Sequence, residues 1–182
     1  MKVIPTKIKG LLIIEPRVFK DERGYFFESY SKRNFDSAVT PIDFVQDNES
    51  CSTKGVLRGL HFQKPPFSQA KLVRCVKGSV LDVAVDLRKD SETYGEYVAV
   101  ELSEDNHLQF FIPKGFAHGF EVLTPSAIFQ YKCDEYYHPE SEGGIDPFDI
   151  NLNIQWQISP DMAIVSEKDM KHPKFSDFKT PF

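Results

Sequence analysis

Along much of its length the chain alternates apolar and polar residues at the spacing of a β-strand. In SVLDVAVDLR, residues 79–88, Leu81, Val83, Val85 and Leu87 fall on one face and Asp82, Ala84 and Asp86 on the other. The first face reads as core. The second is small and acidic, so it is either solvated or the floor of a polar pocket. Solvent is the preferred reading for Asp86, whereas for Asp82, held mid-strand between hydrophobes, the two readings stand level. KLVRCV, YVAVEL, QFFIP, FEVL and AIFQYKC share this short character, rich in Val, Ile and Phe. KG at 77–78, YG at 94–95, PKG at 113–115 and TPS at 124–126 punctuate them. Many short strands between turn residues predict an all-β sandwich or barrel. Helix is scarce: one over SKRNFDSAV with Ser31 as N-cap, and one starting after Ser166, where SEKDM resembles a capping box.

Composition bounds this picture. A chain of 182 residues suits a single domain, 1–182, able to bury a core without a disulfide or a structural metal. Lys plus Arg number 22 against 27 Asp plus Glu, for a net charge of -5. That balance argues against sequence-independent nucleic-acid binding but leaves room for a small anionic ligand held by a few local cations. Cys51, Cys75 and Cys133 are odd in number and widely spaced, which fits a reducing compartment. The opening MKVIPTKIKGLLIIEPRVFKDERG has only a short apolar run broken by Lys and Pro. No signal peptide or membrane span is expected, and a cytoplasmic protein is the reading.

The stretch VLRGLHFQ, residues 56–63, is strand-like yet carries Arg58, His61 and Gln63. With Gly55 it gives G-x5-H-x-Q, and IPKGFAHGF adds P-x-G-x-x-H with Pro113, Gly115 and His118. Together they resemble the two motifs of the cupin superfamily, small double-sheet jelly rolls. The metal-binding version of the first motif has a second histidine, where this chain has Gln63, and the following KPPFSQ supplies no carboxylate. Gln is a poor ligand for zinc, iron or copper, so no metal is expected. A metal-free imidazole, which titrates near about 6.5, is suited to moving protons. Strict alternation sets His61, Gln63 and Gly59 on one face and Arg58 on the other. A bulge at Gly59 is therefore expected, to aim Arg58 and His61 at one ligand.

A longer ordered series makes the resemblance specific. ERGYFFESY, FVQDN, GVLRGLHFQ, AKLVRC, IPKGFAHGF, YKCDEYY and SEKD, from Ile13 to Asp169, resemble the dTDP-4-dehydrorhamnose 3,5-epimerase family of cupin-type jelly rolls. The resemblance implies a double-sheet jelly roll with a few short helices and a C-terminal segment packed back on it. It implies a thymidine-diphosphate-linked 4-keto-6-deoxy sugar as substrate. A proton is removed alpha to the C4 ketone and one is returned to the opposite face, with no cofactor. His61 is then the base, Tyr131 the acid, Asp169 the carboxylate that orients His61, and Lys71 the cation near the developing oxyanion. Arg23, Arg58, Lys71, His118 and Lys168 would hold nucleotide and phosphates. Glu28, Gln46 and Asn48 would bond the base, Tyr137 would stack near thymine, Phe26 would add an aromatic contact, and Glu142 would lie at the rim. The loop IDPFDINLNIQW after SEGG departs from the family pattern near that rim. The resemblance also implies a homodimer in which the segment Ile13 to Tyr30 crosses to the neighbour, bringing Arg23 and Glu28.

Structural roles compete with each assignment. His61 can be a satisfied core histidine, Tyr131 a core tyrosine between Phe129 and Cys133, Asp169 a helix cap, Arg23 a turn charge and Tyr137 core. Asp82 rivals Asp169 as the partner of His61, because a strand is a rigid mount. His107, His138 and His172 read as surface residues. For function, a C3-only or C5-only epimerase, a ketoisomerase of a related sugar, a non-catalytic sugar-binding jelly roll and a metal-dependent cupin stand as alternatives.

Overall fold

The structure is a computed structural model describing residues 1–182. In chain order its elements are β1 (Lys2–Pro5), β2 (Leu12–Glu15), β3 (Phe19–Asp21), β4 (Gly24–Phe26), α1 (Lys32–Ala38), β5 (Gln46–Thr53), β6 (Leu57–Gln63), β7 (Lys71–Lys77), β8 (Ser79–Asp86), β9 (Tyr97–Ser103), β10 (Gln109–Ile112), β11 (Phe116–Val122), β12 (Ser126–Cys133) and β13 (Glu142–Gly144). A six-stranded sheet, β1-β2-β10-β7-β12-β5, faces a five-stranded sheet, β13-β6-β11-β8-β9, and β3–β4 form a separate hairpin. The fold is thus a double-sheet jelly roll with few, short helices. Ser31 caps α1 by accepting from Asn34 N at 3.4 Å. The start expected after Ser166 is a single 3-10 turn, Asp169–Lys171, whose N-cap position is Lys168 without a side-chain cap bond, and Asp169 N donates back to Ser166 Oγ at 3.1 Å.

Three apolar layers hold the sheets. Between them lie Val73, Phe110 and Phe129 of the large sheet and Val80, Ala84, Phe116 and Phe120 of the small one. On the outer side of the large sheet, Phe35 of α1 packs on Ile14, Leu72 and Phe111. On the outer side of the small sheet, Leu60, Phe62, Val83, Val85 and Leu87 are covered by Ile145, Leu152 and the C-terminal Phe175, Phe178 and Phe182. Phe62 packs edge-on against both Phe178 and Phe182. Burying each such ring is worth about 1.5–3 kcal/mol, enough to fix a segment that has no regular structure of its own.

β8 therefore has no solvated face, which corrects the expectation for Asp86. One side of the strand meets the opposite sheet and the other meets the C-terminal wrap, so Asp82 and Asp86 are both fully buried. Asp86 is tolerated because it is saturated with donors. Arg88 gives it two side-chain bonds, at 2.8 and 2.6 Å, and one from its backbone N–H, and Ser91 and Thr93 add their hydroxyls. These bonds outweigh its burial and hold its carboxyl at about 2.

Candidate active site

The expected bulge is present. The β6–β11 register slips between His118 and Phe120, so Arg58 pairs with Phe120 and His61 with His118. Gly59 has φ +122°, and a Cβ there would sit 2.6 Å from the Gly119 Cα. Only glycine permits that approach, and the irregularity turns Arg58 and His61, three residues apart, into the same cavity. That cavity, about 670 Å³, opens between the two sheets. Its small-sheet wall carries Arg58, His61 and His118, and its large-sheet wall carries Asn48, Lys71, Phe129 and Tyr131.

The third wall is the C-terminal segment. Leu57 N donates to Ile164 O at 3.0 Å and Ile164 N to Gly55 O at 2.9 Å, a short parallel bridge beside β6. The chain then turns at Ser166 and delivers Asp169, which is buried. Asp169 Oδ1 meets His61 Nε2 at 2.8 Å, and Oδ2 accepts Gly59 N at 3.3 Å. Burial raises the Asp169 carboxyl, but the bond and charge of His61 prevail and hold it below the ordinary value. With Nε2 committed to Asp169, the nitrogen His61 presents to a ligand is Nδ1.

Asp82 is not the partner of His61, so the rivalry left open in the sequence is resolved. Its two oxygens lie 2.9 and 3.1 Å from His118 Nε2, beneath the cavity floor. Burial pushes Asp82 up and His118 down, toward a neutral pair. Across the cavity, burial raises the Tyr131 phenol, keeping its proton in place. Lys71 Nζ lies 5.6 Å from the Tyr131 ring centre, and burial lowers its ammonium despite the nearby Cys133, Asp82 and Glu142. At the mouth, Glu142 accepts from Lys168 at 2.5 Å and from the Tyr137 hydroxyl at 2.6 Å. Gln46 accepts the Tyr137 N–H at 3.1 Å and donates to Asn48 at 3.1 Å, so both belong to the same rim. Tyr137 is exposed, not core.

Arg23, Phe26 and Glu28 lie outside the cavity of their own chain. The β3–β4 hairpin stands on the outer side of the large sheet, where Phe27 packs on Arg74 and both Tyr25 and Phe27 pack on His107. Arg23 binds Asp21, and Glu28 accepts from Asn34 at 2.7 Å. Phe26 is 71% exposed. All three histidines read as surface residues are partly buried, His107 against Tyr25 and Phe27. His138 stacks on Phe67 at 3.7 Å, and His172 is largely buried, its ring 5.7 Å from that of His61. Nothing in the local pattern of KHPKF marks His172, because its ring packs on Gly144 of a distant strand. Gln63 answers in part what VLRGLHFQ gains from its polar residues. Its amide donates to Phe67 O and Tyr136 O and its carbonyl accepts His138 N, which ties β6 to two loops.

Residues 5–177 match the family model described as dTDP-4-dehydrorhamnose 3,5-epimerase. The chain is 52% identical over 178 residues to the dTDP-4-dehydrorhamnose 3,5-epimerase of Shigella flexneri, covering 97% of each chain. It is 53% identical over 170 residues to that of Escherichia coli, covering 93% of this chain and 91% of the relative. Among solved structures it superposes at a TM-score of 0.94 and 47% identity on the dTDP-6-deoxy-D-glucose-3,5-epimerase of Legionella pneumophila in complex with dTDP-4-keto-L-rhamnose, covering 98% and 94% of the two chains.

Proposed function

The chain belongs to the dTDP-4-dehydrorhamnose 3,5-epimerase family, and from that membership we propose which of its residues carry the proton traffic. The protein is an isomerase that epimerises dTDP-4-dehydro-6-deoxy-D-glucose at C3 and C5 to dTDP-4-dehydro-L-rhamnose, in dTDP-L-rhamnose biosynthesis. The C4 ketone acidifies the hydrogens on both neighbouring carbons, so each inversion needs a base on one face of the sugar and an acid on the other.

The observation that carries the assignment is the origin of two side chains. His61 comes from the small sheet, backed by buried Asp169, and Tyr131 comes from the large sheet across the cavity. His61 Nδ1 takes the proton, and Asp169 holds the tautomer and stabilises the imidazolium that forms. Lys71 donates to the oxygen of the enolate as charge develops there. Tyr131, kept protonated by burial, delivers its proton to the opposite face. Arg58 and Lys168 take the diphosphate, His118 supports that end, and the Gln46, Asn48, Tyr137 and Glu142 rim receives the nucleoside. Incubation with dTDP-4-keto-6-deoxyglucose in deuterated water, followed by NMR, tests the reaction. Deuterium at both C3 and C5 is expected, and label at one carbon alone would make the protein a mono-epimerase.

The reading extends to a homodimer. The β3–β4 hairpin exposes Phe19, Tyr25 and Phe26, with 51, 57 and 71% of their surfaces open. Three aromatic rings on one short hairpin favour docking on a second copy, where Arg23, Phe26 and Glu28 would complete the neighbour's nucleotide pocket. Three free thiols fit a cytoplasmic setting, and no helix is long and apolar enough to cross a membrane.

A further inference from the structure

His61, Asp169 and His172 offer three ligand atoms that all lie within 4.8 Å of one another. We propose that they form a binding site for a borderline divalent cation of the zinc class, and that an ion there silences the epimerase. The set differs from that of metal-binding cupins, because it joins His61 to Asp169 and His172 while the Gln63 side chain is committed to structural hydrogen bonds. Zinc takes imidazole and carboxylate ligands at about 2.0–2.2 Å, so tetrahedral neighbours stand about 3.3 Å apart. The Asp169 Oδ1 separations, 2.8 Å to His61 Nε2 and 3.7 Å to His172 Nε2, straddle that value. With all three atoms within 4.8 Å of one another, side-chain adjustment alone would close the set.

The second observation is the orphaned nitrogen. His172 Nε2 is buried and has no hydrogen-bond partner. A buried polar atom left unpaired is destabilising, and a bound cation removes that cost. The ring is held where it is by Gly144, at which a Cβ would stand 2.3 Å from His172 Nε2. Gly144 pairs in register with His61, so β13 and the turn at Asp169 bring the two imidazoles to one carboxylate oxygen. Two histidines and a carboxylate leave a fourth position open, as in sites where zinc keeps a water or a ligand.

Occupancy bears directly on the base. A neutral imidazole that coordinates a metal through Nε2 carries its proton on Nδ1. The lone pair that would accept the substrate proton is then gone. This consequence rests on His61 acting as the base, whereas the binding itself does not.

The test uses the full chain, stripped with chelator and titrated with Zn(II), with Co(II) as the spectroscopic probe. One ion per chain, visible Co(II) absorption of a tetrahedral site, and inhibition reversed by EDTA are expected. His172→Gln should weaken binding by about tenfold or more and lose the inhibition, while turning over in chelated buffer close to the parent. His172→Asn serves as a second variant of similar polarity. Absence of stoichiometric binding to the parent, or equal binding and inhibition in both variants, overturns the site and leaves the base assignment standing. Stoichiometric binding that leaves activity at low substrate unchanged overturns the silencing and counts against His61 as the base.

Discussion

His61–Asp169 and His118–Asp82 are the same pair of functional groups at nearly the same separation, 2.8 and 2.9 Å, and the two histidines face each other across paired strands. Their surroundings differ. The side chain of His61 is 31% exposed and looks into the cavity, whereas His118 and Asp82 are 8% and 0% exposed. Around Asp169 the imidazole bond outweighs burial and favours the carboxylate; around Asp82 burial dominates and favours the neutral acid. A carboxylate held low behind an accessible ring can stabilise an imidazolium, whereas burial pushes His118 and Asp82 away from their charged forms, which suits a pair that shapes the cavity wall. On this difference in solvent access the proposed mechanism gives proton transfer to the first pair and the shape of the cavity wall to the second.

The largest effect expected from breaking this contrast is at His61. His61→Asn should lower turnover by on the order of 10² to 10⁴ with the fold retained by circular dichroism, and His118→Asn should lower it less, mainly through KM. Tyr131→Phe comes next. It removes the proposed proton donor of the far wall, so solvent deuterium should still enter the substrate while inverted product falls. NMR of the recovered sugar reads both, and equal losses would remove the separate acid role.

A smaller effect concerns the third carboxylate of this part of the fold, Asp86, four residues from Asp82 on β8 but paired with the permanent cation Arg88. Its carboxyl sits at about 2, below the 3.8 of a free group. A depressed acid contributes its stability in full above about pH 4 and loses it as pH falls toward about 2. Asp86→Asn should cost roughly 2 kcal/mol at neutral pH and flatten the acid limb of the stability curve in urea titrations, with kcat little changed. Subtler still, deleting the β3–β4 hairpin should convert a dimer to a monomer in sedimentation and raise KM for the nucleotide sugar without abolishing proton exchange.

Much of this was legible in the chain. The alternation in SVLDVAVDLR and AIFQYKC located two core strands, because a pleated strand between layers writes its period into the sequence. Gly59 between Leu57 and His61 signalled the bulge, since a glycine with close backbone neighbours has few other uses in a strand. What local pattern lacks is the far partner. The wrap that covers the Val83, Val85 and Leu87 side of β8 is an irregular segment about ninety residues on, anchored by Phe178 and Phe182, while Asp86 on the other side turns toward the opposite sheet and the donors of residues 88–93. For the same reason Asp82 could not be matched to His118, nor His172 to Gly144. Those pairings are set by how β8, β11 and β13 lie beside one another, not by the residues adjacent in sequence. The hairpin carrying Arg23 is illegible in a third way, as its proposed destination is a second copy of the chain.

The most direct test of the central contrast is kcat at saturating substrate for Asp169→Asn beside Asp82→Asn. Asp169→Asn leaves His61 without a carboxylate to hold its tautomer and balance its charge, so a large fall in kcat with little change in nucleotide binding is predicted. Asp82→Asn keeps a hydrogen-bonding partner for His118 behind the cavity wall, so a modest loss is predicted. A large kcat loss in Asp82→Asn, with Asp169→Asn close to the parent, would contradict the account.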